Sequence, residues 1–283
     1  MDPRRRTDYP GDMEHDADHP SWTPDATIAA DLDSLAEALG PQARVGVLTG
    51  AGISAASGVP TFRGAGGLWK NHPAERLATP EGFGNDPALV WEWYGWRRDK
   101  IREAAPNGAH RALVDLARRV ASLSILTQNV DGLHRTALGD DPPAVEIVEL
   151  HGNLWRMRCM QCEHEAEDRR PGPAPGELPR CPCGGLLRPA VVWFGESLDP
   201  GALDRAAHVA THCDVFLVVG TSAVVQPAAS FASVARRAGA RVAEFNLEAT
   251  ELSGGATVAV HAPAEHALPH LVAAVDRLHG ASA

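Results

Sequence analysis

The chain lacks a basic surplus, a long apolar run and a large complement of cysteine, and each absence removes a class of function. Lysine and arginine number 26 against 36 aspartate and glutamate, a net −10 with histidine neutral. A chain of that sign gains nothing from bulk attraction to phosphate backbones, so no nucleic-acid partner is expected. The longest uncharged segment, residues 215–235, is interrupted by Gly220, Thr221, Ser222, Gln226 and Pro227. It reads as a buried strand followed by a loop, not as a membrane span. Residues 1–20 are polar and charged, without the apolar stretch of a signal peptide. Of only five cysteines, four stand in two close pairs, which suits a metal in a reducing compartment better than disulfides. The expected location is the cytoplasm. No repeat of fixed period is evident.

What is present is ordinary in bulk and specific in detail. The 283 residues suffice for about two domains, or one core with an elaborated insert. Hydrophobic residues make up 44% and charged residues 22%, the balance of a globular protein. Residues 1–24, with Arg4-Arg5-Arg6, read as a flexible tail. Ile28, Leu32, Leu35 and Leu39 are spaced as one helical face that stops at Gly40. Short apolar runs at 45–49, 123–127, 145–150, 215–220 and 241–246 read as buried strands. Helical patterns lie among them: Leu113, Leu116, Ala117 and Val120 after an Asn107 cap, and Leu268, Leu271, Val272, Val275 and Leu278. Strands alternating with helices predict an α/β fold, a parallel sheet covered on both faces. Two segments break the alternation, a Trp-rich helical stretch at 67–106 and the cysteine-bearing stretch at 156–187. They are expected to form a smaller module beside a main domain built from 25–66, 107–155 and 188–283.

Four motifs carry chemistry. Gly50-Ala51-Gly52-Ile53-Ser54-Ala55 follows a strand in the G-x-G-x-x-A form, either a dinucleotide fingerprint or a tight strand–helix turn. The ribose-binding acid expected about 20 residues later is not obvious, which lowers the weight of a dehydrogenase. Cys159-x2-Cys162 and Cys181-x-Cys183 predict a tetrahedral zinc with four thiolates, a closed structural site. The one-residue spacing of the second pair is unusual, but Gly184-Gly185 can absorb the strain. Cys213 reads as a small core residue. His151 follows the strand at 145–150 and stands where ligands bind in parallel sheets, as a catalytic residue or a satisfied one. Gln128-Asn129-Val130-Asp131 ends another strand, as a ribose- and amide-binding group or a polar turn.

In order, these stretches resemble the sirtuins, NAD-dependent protein-lysine deacylases. The matching residues are Gly50-Ala51-Gly52-Ile53-Ser54, Gly58-Val59-Pro60-Thr61-Phe62-Arg63 and Thr127-Gln128-Asn129-Val130-Asp131-Gly132-Leu133-His134. After them come Leu150-His151-Gly152, the cysteine pairs, Val191-Val192-Trp193-Phe194-Gly195-Glu196, Gly220-Thr221-Ser222 and Asn246-Leu247-Glu248. The resemblance implies a Rossmann-like, doubly wound parallel sheet with a smaller domain of zinc ribbon and helical insert. It implies NAD as co-substrate, one structural Zn2+ per chain, and acylated lysine side chains of proteins as partners. Gly50, Ala51, Gly52, Ser54, Thr61, Phe62, Arg63 and Trp69 would then wrap the phosphates, nicotinamide and ribose. Gln128, Asn129 and Asp131 would line the nicotinamide end. Gly220, Thr221, Ser222, Asn246, Leu247, Glu248 and Ala264 would hold the adenosine half. Val192, Trp193, Phe194, Gly195 and Glu196 would pair with the substrate backbone as an added strand. His151 would be the general base on a ribose hydroxyl.

One helix narrows the expected substrate. Tyr94 and Arg97 lie one turn apart, hence on one face. They resemble the pair by which desuccinylase-like sirtuins hold an acyl group's terminal carboxylate, and small Ala78 would leave room for the longer chain. A guanidinium fork with a phenol suits that charge, whereas an acetyl group offers nothing to pair. Rival readings stay open: a protein mono-ADP-ribosyltransferase, a zinc-ribbon binding module, and a dehydrogenase. Release of free nicotinamide without NADH separates the two NAD-cleaving readings from the dehydrogenase and the binding module.

Overall fold

Valine- and leucine-rich runs dictate a sheet buried on both sides, and the chain builds one. The structure, a computed structural model, describes residues 22–60, 68–69, 72–174 and 176–280. The described residues open with α1 (Ala26–Ala36), β1 (Arg44–Thr49) and a short 3-10 helix (Ala51–Ser57). A helical insert follows, with β2 (Leu68–Trp69), β3 (His72–Pro73), α2 (Ala74–Leu77), α3 (Pro80–Asn85) and α4 (Pro87–Glu103). Next come α5 (Gly108–Ala117), β4 (Ser122–Thr127), α6 (Leu133–Ala137) and β5 (Val145–Glu149). The cysteine-bearing strands are β6 (Gly152–Cys159), β7 (Glu165–Glu167) and β8 (Leu187–Val191). The chain ends with α7 (Pro200–His212), β9 (Val215–Val219), α8 (Ser230–Arg237), β10 (Arg241–Asn246), β11 (Val258–His261) and α9 (Ala264–His279).

Six parallel strands form the main sheet in the order β11-β10-β9-β1-β4-β5. Counted by first appearance this is the 3-2-1-4-5-6 order of a doubly wound sheet, which changes direction between β1 and β9. Leu35, Leu113 and Leu271 of α1, α5 and α9 cover one face against Val47 and Leu217. Val209 and Phe231 of α7 and α8 cover the other against Leu48 and Phe216. Each such side chain contributes roughly 1.5–3 kcal/mol by burial. All five residues of β9 are buried, which is why that strand shows no alternation. Asn107 caps α5 as expected, accepting from the Ala109 amide at 2.9 Å. Two elements depart from the sequence pattern. β11 is only four residues long and follows a polar loop, too short to register as a run. Helix α9 starts at Ala264 and tolerates Pro269 within it. The carbonyl of Glu265, which Pro269 cannot bond, is approached instead by Gly108, where a Cβ would lie 2.4 Å away.

The second module packs a three-stranded antiparallel sheet, order β7-β6-β8, against the helical insert. Its own core holds Trp91, Trp93, Tyr94, Leu154, Leu187 and Trp193. Gly152 pairs with Val191, so this sheet reaches further than the cysteine-rich stretch. The boundaries expected after 155 and 187 therefore fall inside β6 and β8. Strand β5 of the main sheet runs through Leu150 and His151 straight into β6, which puts His151 at the junction of the two modules. Among the described residues no helix is long and apolar enough to cross a membrane.

Candidate active site

Between the modules, at the carboxyl edge of the main sheet, lies a cavity of about 520 Å3. Ligands bind at this edge and at this change of direction in doubly wound sheets. Most residues expected from sequence line it: Gly50, Ala51, Gly52, Ser54, Ala78, Tyr94, Arg97, Gln128, Asn129, Asp131, His151, Val192, Trp193, Phe194, Gly195, Glu196, Gly220, Thr221 and Ser222. Thr61, Phe62 and Arg63 lie outside the described residues. Trp69 is buried in the second module's core beside Trp96, at 6.4 Å between rings, and is not a lining residue. Asn246, Leu247, Glu248 and Ala264 also stand off the lining. Asn246 still reaches the site's floor, its Nδ2 donating to Thr221 O at 3.3 Å, and Leu247 is 67% exposed. Glu75, Ile101, Leu198 and Gln226 line the cavity without any sequence signal, because nothing in their spacing marks them.

The floor is two loops in backbone contact. The Gly52 amide donates to Gly220 O at 2.8 Å, and the Gly50 amide to Val219 O at 3.1 Å. Gly220 has φ +59°, and a Cβ there would lie 2.3 Å from the Ile53 nitrogen. The fingerprint glycines thus let one loop seat on the other and leave bare backbone facing the cavity. The segment after them is a seven-residue 3-10 helix ended by Gly58 at φ +80°, not the long helix of a dinucleotide fingerprint.

Side-chain amides and hydroxyls knit the next layer. Asn129 Nδ2 donates to Gly50 O at 3.0 Å and to Ser54 Oγ at 3.2 Å. Ser54 Oγ donates to Asp131 Oδ2 at 2.8 Å, and the Leu133 amide holds the other carboxylate oxygen. Gln128 Nε2 bridges to Thr221 Oγ1 at 3.1 Å. Burial pushes the Asp131 carboxyl above the usual carboxylate range, with these two donors pulling back. His151 Nδ1 lies 3.0 Å from Gln128 O. A carbonyl only accepts, so Nδ1 carries the proton and Nε2 keeps its lone pair. Burial lowers this histidine's pKa, against the Gln128 hydrogen bond, and so favours the neutral base.

Behind this layer sits a histidine pair that the sequence did not flag for a shared role. Thr49 Oγ1 lies 2.9 Å from Thr127 Oγ1 and 3.0 Å from His134 Nε2, and the rings of His110 and His134 are 4.9 Å apart. Burial pushes His110 down to about 4 and His134 down to about 3. An unfolded chain protonates both near the usual 6.5. The unfolded state therefore binds more protons below that value, so stability is full above pH 6.5 and is lost as pH falls toward 4. His110→Gln is expected to narrow its stability gap to the native chain by about 2 kcal/mol between pH 7 and pH 5, read from denaturant melts.

At the far end of the cavity the chemistry changes. Arg97 is 8% exposed, with its guanidinium 5.0 Å from the Trp93 ring centroid and 5.4 Å from that of Tyr94. Burial pushes Arg97 down to about 10, opposed by Tyr94 and Asp131, so it stays charged at neutral pH. Ala78 lines the same cavity. The segment 192–196 forms its rim with amides already engaged. The Val192 amide donates to His151 O, that of Trp193 to Glu196 Oε2 and that of Phe194 to Ala78 O, each at 2.9 Å. Glu196 is clamped by Arg188 at 2.6 and 2.7 Å, so its charge holds the rim rather than facing a ligand.

The four cysteines converge as their spacing predicts. Their sulfurs all lie within 4.8 Å of one another, with Cys159 to Cys183 at 3.5 Å and Cys162 to Cys181 at 3.7 Å. Those separations far exceed a disulfide and approach the ~3.8 Å edge of a tetrahedron with 2.3 Å zinc–sulfur bonds. Gly184, at φ +90°, takes the turn that the short Cys181-Pro182-Cys183 spacing requires. The Gln161 amide, 3.3 Å from Cys159 Sγ, holds that thiol down to about 6, ready to bind metal as thiolate.

The model of the Sir2 family matches residues 50–227. An NAD-dependent protein deacylase of Aquifex aeolicus is 50% identical over 207 residues, 73% of this chain and 84% of that protein. One of Thermococcus kodakarensis is 48% identical over 230 residues, 79% of this chain and 88% of that protein. Among solved structures, a Sir2 homologue in complex with NAD superposes with TM-score 0.79 at 41% identity, covering 87% of this chain and 94% of that one. A Sir2 protein bound to a myristoylated histone peptide has TM-score 0.68 at 34% identity, covering 88% and 98%.

Proposed function

The chain belongs to the Sir2 family, and on that footing we propose that it is an NAD-dependent protein-lysine deacylase favouring acyl groups that end in a carboxylate, succinyl or malonyl over acetyl. The observation that carries the preference is the buried Arg97 guanidinium, with Tyr94, on the wall of the cavity that also holds His151. Burial lowers the Arg97 pKa, a desolvation cost that a carboxylate in the cavity offsets and a methyl group does not.

The donor set fits a dinucleotide: bare backbone at Gly50, Gly52 and Gly220, flanked by Ser54, Asn129 and Thr221. Bound NAD supplies an activated ribose carbon with nicotinamide as leaving group, and a ribose hydroxyl. His151 Nε2 takes the hydroxyl's proton, its ring aimed by the Gln128 carbonyl. Asn129 and Asp131, fixed through Ser54, orient the ribose end. Arg97 and Tyr94 take the distal carboxylate, and the rim at 192–196 lies along the peptide. With one water consumed, the products are free lysine, nicotinamide and O-acyl-ADP-ribose. Cys159, Cys162, Cys181 and Cys183 hold a zinc that supplies no chemistry, since four thiolates leave no open position. Those reduced thiols fit the cytoplasm.

The test is a mass-spectrometric time course with NAD and one peptide carried in acetyl-lysine and succinyl-lysine forms. Succinyl is expected to leave faster, and Arg97→Met to lower desuccinylation about 100-fold, the loss of a buried charged contact. Equal rates for the two peptides, or desuccinylation intact in Arg97→Met, would overturn the preference.

A further inference from the structure

We infer that Trp193 is a positioning residue for acyl selectivity: its indole N–H fixes the Tyr94 hydroxyl so that the phenolic proton faces the carboxylate end of the acyl chain. The inference rests on the preference proposed above and names the group that sets it.

Trp193 Nε1 lies 2.8 Å from the Tyr94 oxygen, inside the second module's core. An indole N–H only donates, so the phenol oxygen accepts and its own proton must go elsewhere. The other polar neighbour on the same helix face, Arg97, can only donate as well. Glu196 is already engaged, by Arg188 on both oxygens, by Arg158 at 3.1 Å and by the Trp193 amide at 2.9 Å. Among the described residues the Tyr94 proton has no acceptor. Tyr94 is 1% exposed yet lines the cavity, so its proton is open to an acceptor that arrives there. A carboxylate drawn in by Arg97 supplies one. An acetyl methyl leaves the proton unpaired.

The indole is held where this requires. The Arg188 guanidinium lies 3.4 Å from its ring centroid, and the Phe83 ring is 5.2 Å away. Donation to the phenol oxygen also polarises the O–H and strengthens it as a donor. Tyr94 and Trp193 are 99 residues apart in sequence, so the pair Tyr94–Arg97 is completed from a different element.

Trp193→Phe keeps an aromatic ring for the stack and removes the N–H. The succinyl-to-acetyl ratio of kcat/KM is expected to fall about five- to tenfold, the worth of one buried hydrogen bond, mostly through a higher KM for the succinyl peptide. In a Tyr94→Phe background the same change is expected to move the ratio less than about twofold, since its route runs through the lost hydroxyl. Should Trp193→Phe not fold, benzothienylalanine at position 193 keeps the bicyclic shape and lacks only the N–H. An unmoved ratio, or an equal effect in the Tyr94→Phe background, would overturn the role of Trp193. The two readings fail separately. If Arg97→Met leaves the ratio unchanged, the carboxylate preference falls; if it collapses the ratio while loss of the indole N–H does not, only Trp193 is wrongly assigned.

Discussion

Replacing His151 by alanine is expected to lower kcat/KM about 1000-fold for acetyl and succinyl peptides alike, within the range for loss of a general base. The geometry leaves few other bases. Asp131 is bound by Ser54 and the Leu133 amide, and His110 and His134 sit behind the lining with their protonation suppressed by burial. Among the described residues, His151 alone combines a place on the cavity wall with a ring nitrogen forced to be an acceptor. The pH dependence carries a sign. The base works when neutral, and burial lowers its pKa, so activity is held through neutral pH and lost on the acid side, below the usual histidine value near 6.5. Stopped-time assays from pH 5 to pH 8 would show the acid limb, and the alanine variant would lack it. A limb centred above pH 7, or a variant within tenfold of the native rate at an unchanged melting temperature, would remove His151 from the role.

The sequence declared this site unevenly. Strand β9 stood out because a parallel strand buried on both faces needs an unbroken apolar run, and β1, β4, β5 and β10 because each keeps short apolar stretches. The residues at their ends, Gly50, Gln128, His151 and Gly220, were legible for the same reason: a strand's end marks the sheet's carboxyl edge. The cysteine set was legible from spacing alone. What could not be read was contact between elements far apart in the chain. Glu196 appears in a motif that suggests substrate pairing, yet its carboxylate is bound by Arg188 and Arg158, a clamp that only β6 and β8 side by side create. The donation from Trp193 to Tyr94 is hidden likewise, since either residue read alone is a core aromatic. The histidines at 110 and 134 meet only once α5 and α6 pack behind β4. Local pattern encodes elements and their ends, while the polar wiring between them emerges from packing.

Removing the zinc should uncouple the two modules' fates. Cys159 and Cys181 are buried in the same core as Trp91, Tyr94 and Trp193, and β8 carries Arg188 from the cysteine hairpin to the Glu196 clamp. Without a metal, four sulfurs within 4.8 Å leave the hairpin to its backbone hydrogen bonds, such as Cys181 N to Gly185 O at 2.8 Å, and the cavity's far wall loses support. The main sheet keeps its own two cores, which contain none of the four cysteines. Metal analysis is expected to find one zinc per native chain, and Cys181→Ser to abolish it. The substitution should also cost ~3–5 kcal/mol, or about 10 °C in melting temperature at ~2–4 °C per kcal/mol. Deacylation should fall for both acyl peptides together, unlike the selective loss in Arg97→Met. Tryptophan fluorescence reports where the damage lies. Six of the seven tryptophans belong to or pack against the second module's core, and only Trp22 stands apart, stacked on His266. A strong change in emission with most far-ultraviolet circular dichroism retained is the expected signature. A chain holding well under one zinc, yet with native emission and activity, would show that the hairpin stands on its hydrogen bonds alone.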